Sequence, residues 1–101
     1  MLDISIVKEI NDEKLDKYFS ISRDALEKAK AASENLNIEG ARADFLDMIE
    51  RYLSDAQHFR DGEDYVNAFA AVSYAHGWLD AGARIGLWSV KDSRLFTVDD
   101  E

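Results

Sequence analysis

The fold is decided by residues 64–86, which read DYVNAFAAVSYAHGWLDAGARIG. No proline interrupts this stretch, and apolar residues recur in it at helical spacing. A residue between Gly62 and Asp64 can cap the start of the helix, which is expected to run to about Gly86 or Leu87. At 1.5 Å per residue such a helix would be about 35 Å long. We therefore predict one long helix here, the third of the chain.

This third helix is apolar on two nearly opposite sides. At about 100° per residue, one side carries Tyr65, Phe69, Val72, His76, Leu79, Ala83 and Leu87. The other side carries Ala71, Tyr74, Trp78, Ala81 and Ile85. A narrow polar stripe runs between them and consists of Ser73, Asp80 and Arg84. A helix with two apolar sides is expected to be buried on both.

Two neighbours within one bundle cover adjacent sides of a helix, not opposite ones. The sequence therefore predicts that the side with Tyr74 and Trp78 is covered by a second copy of the chain, in a homodimer, or by another protein. Small residues such as Gly77, Gly82 and Gly86 favour close packing, which would offset the cost of about 1 kcal/mol that a glycine carries inside a helix. The alternative is a larger monomer core, in which the first helix and both chain ends cover the two sides.

Two further helices precede it. The first, from Asp12 to about Glu34, has an apolar face that is continued by Leu36 and consists of Leu15, Tyr18, Phe19, Ser22, Ala25, Leu26 and Ala29. The second, from Ala41 to about Asp61, has an apolar face of Phe45, Met48, Ile49, Tyr52, Leu53, Ala56 and Phe59. Gly62 is well placed to end it in a left-handed conformation. The short link to the third helix requires antiparallel neighbours. We predict an all-α fold, an antiparallel three-helix bundle without a sheet, over residues 12–88.

The two ends of the chain lie outside the predicted bundle. The N-terminal extension, residues 1–11, contains Leu2, Ile4, Ile6, Val7 and Ile10. The first three alternate as in a strand, whereas the last three have helical spacing, and we favour a helical extension. The acidic tail, residues 89–101, contains the apolar residues Val90, Leu95, Phe96 and Val98. It is either disordered or docks these side chains on the bundle or on a partner.

The composition narrows the function. The chain of 101 residues has a net charge of −9, and such a surface repels nucleic acid. It has no cysteine, which excludes disulfides, thiolate metal sites and cysteine nucleophiles. The first residues include an acid where a signal peptide has basic residues, and charges interrupt the most apolar stretch, so neither a signal peptide nor a membrane helix is expected. We predict a cytoplasmic protein without a cofactor or a bound metal.

Two segments of the chain resemble a known family. They are YLSDAQHF, residues 52–59, and GEDYVNAFAAVSYAHGWLDAG, residues 62–82. Over about Asp12 to Leu87 the chain is similar to the archaeal proteins grouped as domain of unknown function family 357. The resemblance implies a small helical bundle, an archaeal source and a cytoplasmic location. It implies no established activity, so no catalytic residue is transferred from it.

The candidate binding or interface residues all lie on the third helix: Tyr74, His76, Trp78, Asp80, Arg84 and Ile85. Tyr74 and Trp78 stack along one side and are expected at a protein interface rather than in a small-molecule pocket. His76 is expected to be hydrogen-bonded in the core, without an obvious serine or cysteine nucleophile beside it. Asp80 and Arg84 are expected to form an i,i+4 ion pair worth about 0.2–0.5 kcal/mol.

A ligand site is the alternative to an assembly module. In it, His76, Asp80 and Arg84 would bind a small molecule or a nucleotide-related compound, with Arg84 contacting an anion, in a ligand binder or an enzyme accessory domain. A cleft that reaches solvent and is lined by these three residues would favour this function. A dry core around His76, with Tyr74 and Trp78 at a subunit contact, would favour assembly.

A helical ribonuclease is a more remote alternative. Arg51 and His58 have the loose spacing found in the helical ribonucleases of toxin–antitoxin systems, and they share one face of the second helix. That activity requires the two residues to meet across a dimer cleft. The acidic surface opposes RNA binding.

Overall fold

The computed structural model describes residues 9–98, which form three α-helices. They are α1 (Asp12–Ala31), α2 (Ala41–Asp61) and α3 (Tyr65–Ile85). No strand lies within the described range. Both α1 and α2 pack on α3, and they contact each other only slightly. The predicted all-α, three-helix fold is confirmed, with α1 ending earlier than expected and α3 continuous as predicted.

Side chains and glycines close the helix ends. The Asn11 side chain accepts a hydrogen bond from the Lys14 N–H, which satisfies one of the free donors of the first turn of α1. Asp64 caps α3 in the same way, and Gly86 ends it with a left-handed φ of 88°. Ile10 precedes the Asn11 cap and is not helical, so the predicted helical extension is wrong for residues 9 and 10. Residues 1–8 lie outside the described part of the chain.

The end of α2 differs from the prediction in one detail. Gly62 has a φ of −85°, whereas the next residue, Glu63, takes the left-handed conformation with a φ of 61°. The N–H groups of Glu63 and Asp64 donate to the carbonyls of Arg60 and Phe59, the pair of bonds that closes a helix in a Schellman motif. Gly62 was expected to be the left-handed residue, and this is wrong because Gly62 is the C-cap, with a φ of −85° and a ψ of 10°, so that the left-handed position falls on Glu63.

The core lies where α1 and α2 meet α3. The buried side of α1 consists of Leu15, Phe19, Ser22, Ala25, Leu26 and Ala29, and the fully buried part of α2 of Ile49, Leu53 and Ala56. In α3 the buried residues are Ala68, Ala71, Val72, Ala75, Leu79 and Gly82. Ala71 was assigned to the second apolar side of α3 but lies in the core, because contact with two helices widens the buried stripe of α3.

The segment that follows α3 packs back onto the bundle. Trp88 is completely buried, and its Nε1 donates to the carbonyl oxygen of Leu79 over 3.0 Å. Leu95 and Phe96 are buried as well. Of the two alternatives for the tail, docking on the bundle therefore holds for its described part, residues 89–98.

Of the three glycines Gly77, Gly82 and Gly86, the last two make contacts within the chain. Gly82 lies directly under the Trp88 ring, so that a β-carbon there would be 2.6 Å from Cε2 of the indole. The Gly86 carbonyl accepts from the N–H groups of Asn35 and Leu36. Only Gly77 opens outward, since a β-carbon at that position would meet nothing within 4 Å. The close packing of α3 that these small residues predicted is thus made partly within the chain, at Gly82 and Gly86.

Polar contacts fasten α1 to the other helices. The Arg42 guanidinium donates to the carbonyls of Ala29, Lys30 and Leu87, and so joins the end of α1 to the end of α3. At the other end of α1, the Tyr65 hydroxyl donates to the Asp12 carboxylate over 2.6 Å. This bond lowers the pKa of Asp12 and raises that of Tyr65.

Within residues 9–98, no helix is long and apolar enough to cross a membrane.

Candidate functional site

The outward side of α3 forms an apolar groove of about 570 Å³, here called the α3 groove. Its lining consists of Phe45, Ala70, Ser73, Tyr74, Gly77, Trp78 and Ala81. None of these residues is charged, although charged residues make up 33% of the chain. The groove is therefore an uncharged area on a strongly acidic protein.

Two helices position the aromatic walls of the groove. Phe45 of α2 meets Trp78 edge to face, with ring centroids 4.8 Å apart, and Tyr52 of α2 supports Tyr74 with centroids 4.6 Å apart. Such aromatic pairs restrain the ring positions. The floor is low because Gly77 has no side chain and Ala70 and Ala81 have small ones, so the groove has fixed walls and an open centre.

Large apolar side chains remain exposed beside this floor. Tyr74 is 57% exposed and Ile85 is 49% exposed, whereas Trp78 is half-buried. The predicted interface residues Tyr74 and Trp78 thus line one groove, while Ile85 lies exposed near the end of α3 without lining it. The sequence does not show that Phe45 lines the groove, because the rotation of α2 relative to α3 decides whether this side chain faces the core or the groove.

A second, polar cleft of about 500 Å³ lies between α3 and the segment that follows it; we call it the His76 cleft. It is lined by His76, Asp80 and Arg84 of α3 and by residues 93–98. The three residues that the sequence singled out as a possible ligand site therefore do lie together, and the cleft reaches solvent. Arg94 and Thr97 also line it, and sequence reasoning missed both because nothing in the tail indicates where it docks.

Hydrogen bonds within the chain hold His76 and Asp80 in place in this cleft. The Asp80 carboxylate accepts from the Thr97 N–H over 2.8 Å and from its hydroxyl over 3.1 Å. His76 Nδ1 lies 3.0 Å from the hydroxyl of Ser22, which is 1% exposed. His76 thus makes the expected hydrogen bond at Nδ1, but its ring is half-buried and lines the cleft instead of lying within the core. The expected Asp80–Arg84 ion pair does not form among the described residues, because Asp80 is turned to Thr97.

Ser22, His76 and Asp80 lie in the order of a catalytic triad, but the geometry does not support one. No serine partner of His76 was evident from the sequence, whereas the structure places the Ser22 hydroxyl beside it. However, a hydroxyl buried under the surface is out of reach of a substrate. The distance between His76 Nε2 and Asp80 Oδ1 is 3.8 Å, which is too long for a hydrogen bond. We therefore interpret the Ser22–His76 bond as a structural link between α1 and α3.

The residues of the ribonuclease alternative lie elsewhere. Arg51 is exposed on α2 and donates to the Asp47 carboxylate over 2.9 Å. His58 is also exposed, with its ring 6.2 Å from that of Phe59. Neither lines the α3 groove or the His76 cleft. The described structure gives no feature that favours this activity.

The helices and the two surface sites define a small all-α protein whose central helix, α3, carries both sites. A family model described as "Protein of unknown function (DUF357)" matches residues 17–88, which include most of α1 and all of α2 and α3. The chain belongs to the DUF357 family, as its sequence resemblance indicated. No curated protein and no solved structure matches the chain.

Proposed function

We propose that this protein is an assembly module that forms a homodimer through the α3 groove. One observation carries the proposal: the central helix presents an uncharged, aromatic-walled groove to solvent on a chain with a net charge of −9. Exposed apolar surface bordered by polar residues is typical of protein–protein contact sites. Aromatic residues such as Tyr74 and Trp78 are enriched at the centres of such contacts.

The charge distribution supports a second copy as the occupant. Two copies of an acidic chain repel each other, and a carboxylate opposite its symmetry mate would be costly. No acid of residues 9–98 lines the α3 groove, so two copies can meet there without placing these carboxylates face to face. A two-fold contact pairs one patch with itself, and this groove offers both a projecting ring, Tyr74, and an open floor at Gly77.

The His76 cleft supports the alternative, a ligand site, only in part. It reaches solvent, which the alternative requires, but His76 and Asp80 already have partners within the chain. The α3 groove carries exposed apolar surface that nothing in residues 9–98 covers. We therefore rank assembly first. A cytoplasmic location, an archaeal source and the absence of nucleic-acid partners stay predictions from the sequence.

A charge placed in the groove tests the proposal. We expect sedimentation equilibrium at micromolar concentration to give wild-type protein twice the chain mass of 11.4 kDa. Ala81→Glu is expected to raise the dimer dissociation constant at least about tenfold, because the dimer would bury an unpaired carboxylate. Ala81 is exposed within one chain, so the fold itself should tolerate this change.

Ala43→Glu is the matched control, because it adds the same charge at an exposed alanine of α2 that does not line the groove. It should leave the dimer unchanged. A wild-type chain that sediments at 11.4 kDa throughout the concentration range would overturn the proposal, and so would an equal loss of dimer in both variants. The first of these results would leave another protein as the occupant.

A further inference from the structure

We propose that the His76 cleft is a binding site for a small phosphate monoester, held by the guanidinium groups of Arg84 and Arg94. No residue that lines this cleft also lines the α3 groove. The inference therefore goes beyond the homodimer and does not depend on it. It assigns a ligand class to the part of the surface where two arginines border the same concave space.

The charge around the cleft is opposite to that of the whole chain. Across the chain, 21 acidic residues outnumber 12 basic ones. Among residues 9–98, the lining of the cleft instead contains two arginines, Arg84 and Arg94, and one acid, Asp80. Concave surfaces focus the field of the charges around them. Asp24 lies outside this lining and offsets part of the charge of Arg94, whereas Arg84 has no acidic partner in residues 9–98, so the lining offers an anionic ligand a free positive charge.

Both guanidinium groups have donors to spare. Arg84 is exposed, and its guanidinium makes no hydrogen bond or ion pair with any residue between 9 and 98. Arg94 has one ion pair, with Nη1 3.9 Å from the Asp24 carboxylate, and both side chains are more than half exposed. Such a long surface pair contributes little and is easily exchanged for a better acceptor.

Hydrogen bonds from Thr97 occupy the carboxylate of Asp80, the acid in the described lining of the cleft. Both carboxylate oxygens of Asp80 accept hydrogen bonds from Thr97, one from its N–H and one from its hydroxyl. These bonds hold the segment that carries Arg94 against α3, the helix that carries Arg84. The two arginines are therefore set by one linked structure, and a ligand would not have to order the segment itself.

A phosphate monoester fits this arrangement better than a carboxylate does. A guanidinium donates two parallel hydrogen bonds to a phosphate, and two arginines match its double negative charge. The cleft of about 500 Å³ lies within the range of roughly 300–1,000 Å³ that holds small organic ligands. This volume leaves room for an organic group beyond the phosphate itself.

The test is a titration of the uniformly ¹⁵N-labelled chain with phenyl phosphate, followed by NMR at constant ionic strength. We expect saturable shifts at the amides of residues 84 and 94–98, with a dissociation constant on the order of 1 mM. Arg84→Gln and Arg94→Gln should each weaken binding about tenfold or more, because each removes charge-assisted hydrogen bonds. Arg51→Gln, which removes the same charge from an exposed site outside the cleft, should bind as the wild type does.

Several results would overturn the assignment. Shifts that grow linearly, or that sodium chloride reproduces, would mean non-specific screening of surface charge. Benzoate that binds as tightly as phenyl phosphate would contradict the preference for phosphate. An equal effect of Arg84→Gln and Arg51→Gln would remove Arg84 from the site. Inorganic phosphate that binds more weakly than phenyl phosphate, at the same residues, would support a monoester ligand.

Discussion

Trp88→Ala is expected to lower the free energy of unfolding by about 3–5 kcal/mol, the usual cost of removing a buried large aromatic side chain. Trp88 is completely buried between Gly82 and Phe45, whose ring centroid lies 6.3 Å from the indole. The substitution would leave a cavity and would also remove the donor that binds the Leu79 carbonyl. The loss should release the packed segment that follows α3.

The measurement is urea unfolding followed by far-ultraviolet circular dichroism, at a concentration that keeps the chain monomeric. Trp78→Ala is the control, because it removes the other tryptophan of the chain from a half-buried position in the α3 groove. Trp78→Ala should lower the free energy of unfolding clearly less than Trp88→Ala does. If Trp88→Ala does not fold, Trp88→Phe keeps most of the ring and should cost about 1–2 kcal/mol through the lost hydrogen bond. Equal losses for the two alanine variants would contradict the packing described for Trp88.

Gly82→Ala and Gly77→Ala are expected to change the stability of the monomer in opposite directions. The added methyl group at Gly82 would overlap the Trp88 ring, and overpacking of this kind costs about 1–3 kcal/mol. At Gly77 the methyl group would meet nothing within 4 Å, so the gain in helix propensity, about 0.5–1 kcal/mol, should remain. The same substitution at two positions of α3 thus distinguishes the effect of side-chain packing on stability from the effect of helix propensity.

Both variants are compared with the wild type by urea unfolding under the same monomeric conditions. A stable Gly82→Ala variant would mean that the segment carrying Trp88 does not rest on α3. A destabilised Gly77→Ala variant would mean that the groove floor is already covered within one chain. The first result would contradict the packing of Trp88 on Gly82, and the second would remove a premise of the proposed function.

The helices could be predicted from the sequence because their signals are local. Helical periodicity, the absence of proline and the caps at Asn11 and Asp64 are all encoded within a few residues. The bounds of α2 and α3 match the prediction closely. The left-handed residue after α2 was misplaced by one position, since the exact register of a helix end depends on the tertiary turn that follows it.

The position of the tail could not be predicted, because it rests on contacts between distant residues. No periodic pattern in the tail indicates that Trp88 covers Gly82 or that Thr97 binds Asp80. Gly82 was expected to favour close packing against another chain, because helical periodicity does not show where the residues that follow the helix will pack. Its partner proved to be a side chain that follows closely in sequence and reaches back over the helix.

Of the residues that line the two candidate sites, only those of α3 could be predicted from the sequence. Its periodicity placed Tyr74 and Trp78 together, and it placed His76 near Asp80. The residues that complete each site come from other elements, Phe45 from α2 and Arg94 from the tail. A single sequence does not report how those elements are rotated and docked, so the residues that they contribute could not be assigned to either site.

The central claim, that two copies meet across the α3 groove, is tested most directly by a distance between spin labels. The chain contains no cysteine, so Gly77→Cys gives a unique site in the groove floor, and Ser54→Cys gives one on the exposed side of α2. If two copies pack across the groove, the two Gly77 labels lie within about 20 Å of each other, since packed helix axes are about 8–10 Å apart, and the Ser54 labels lie farther apart. Gly77 labels without any dipolar coupling at micromolar concentration, or no closer than the Ser54 labels, would contradict this claim.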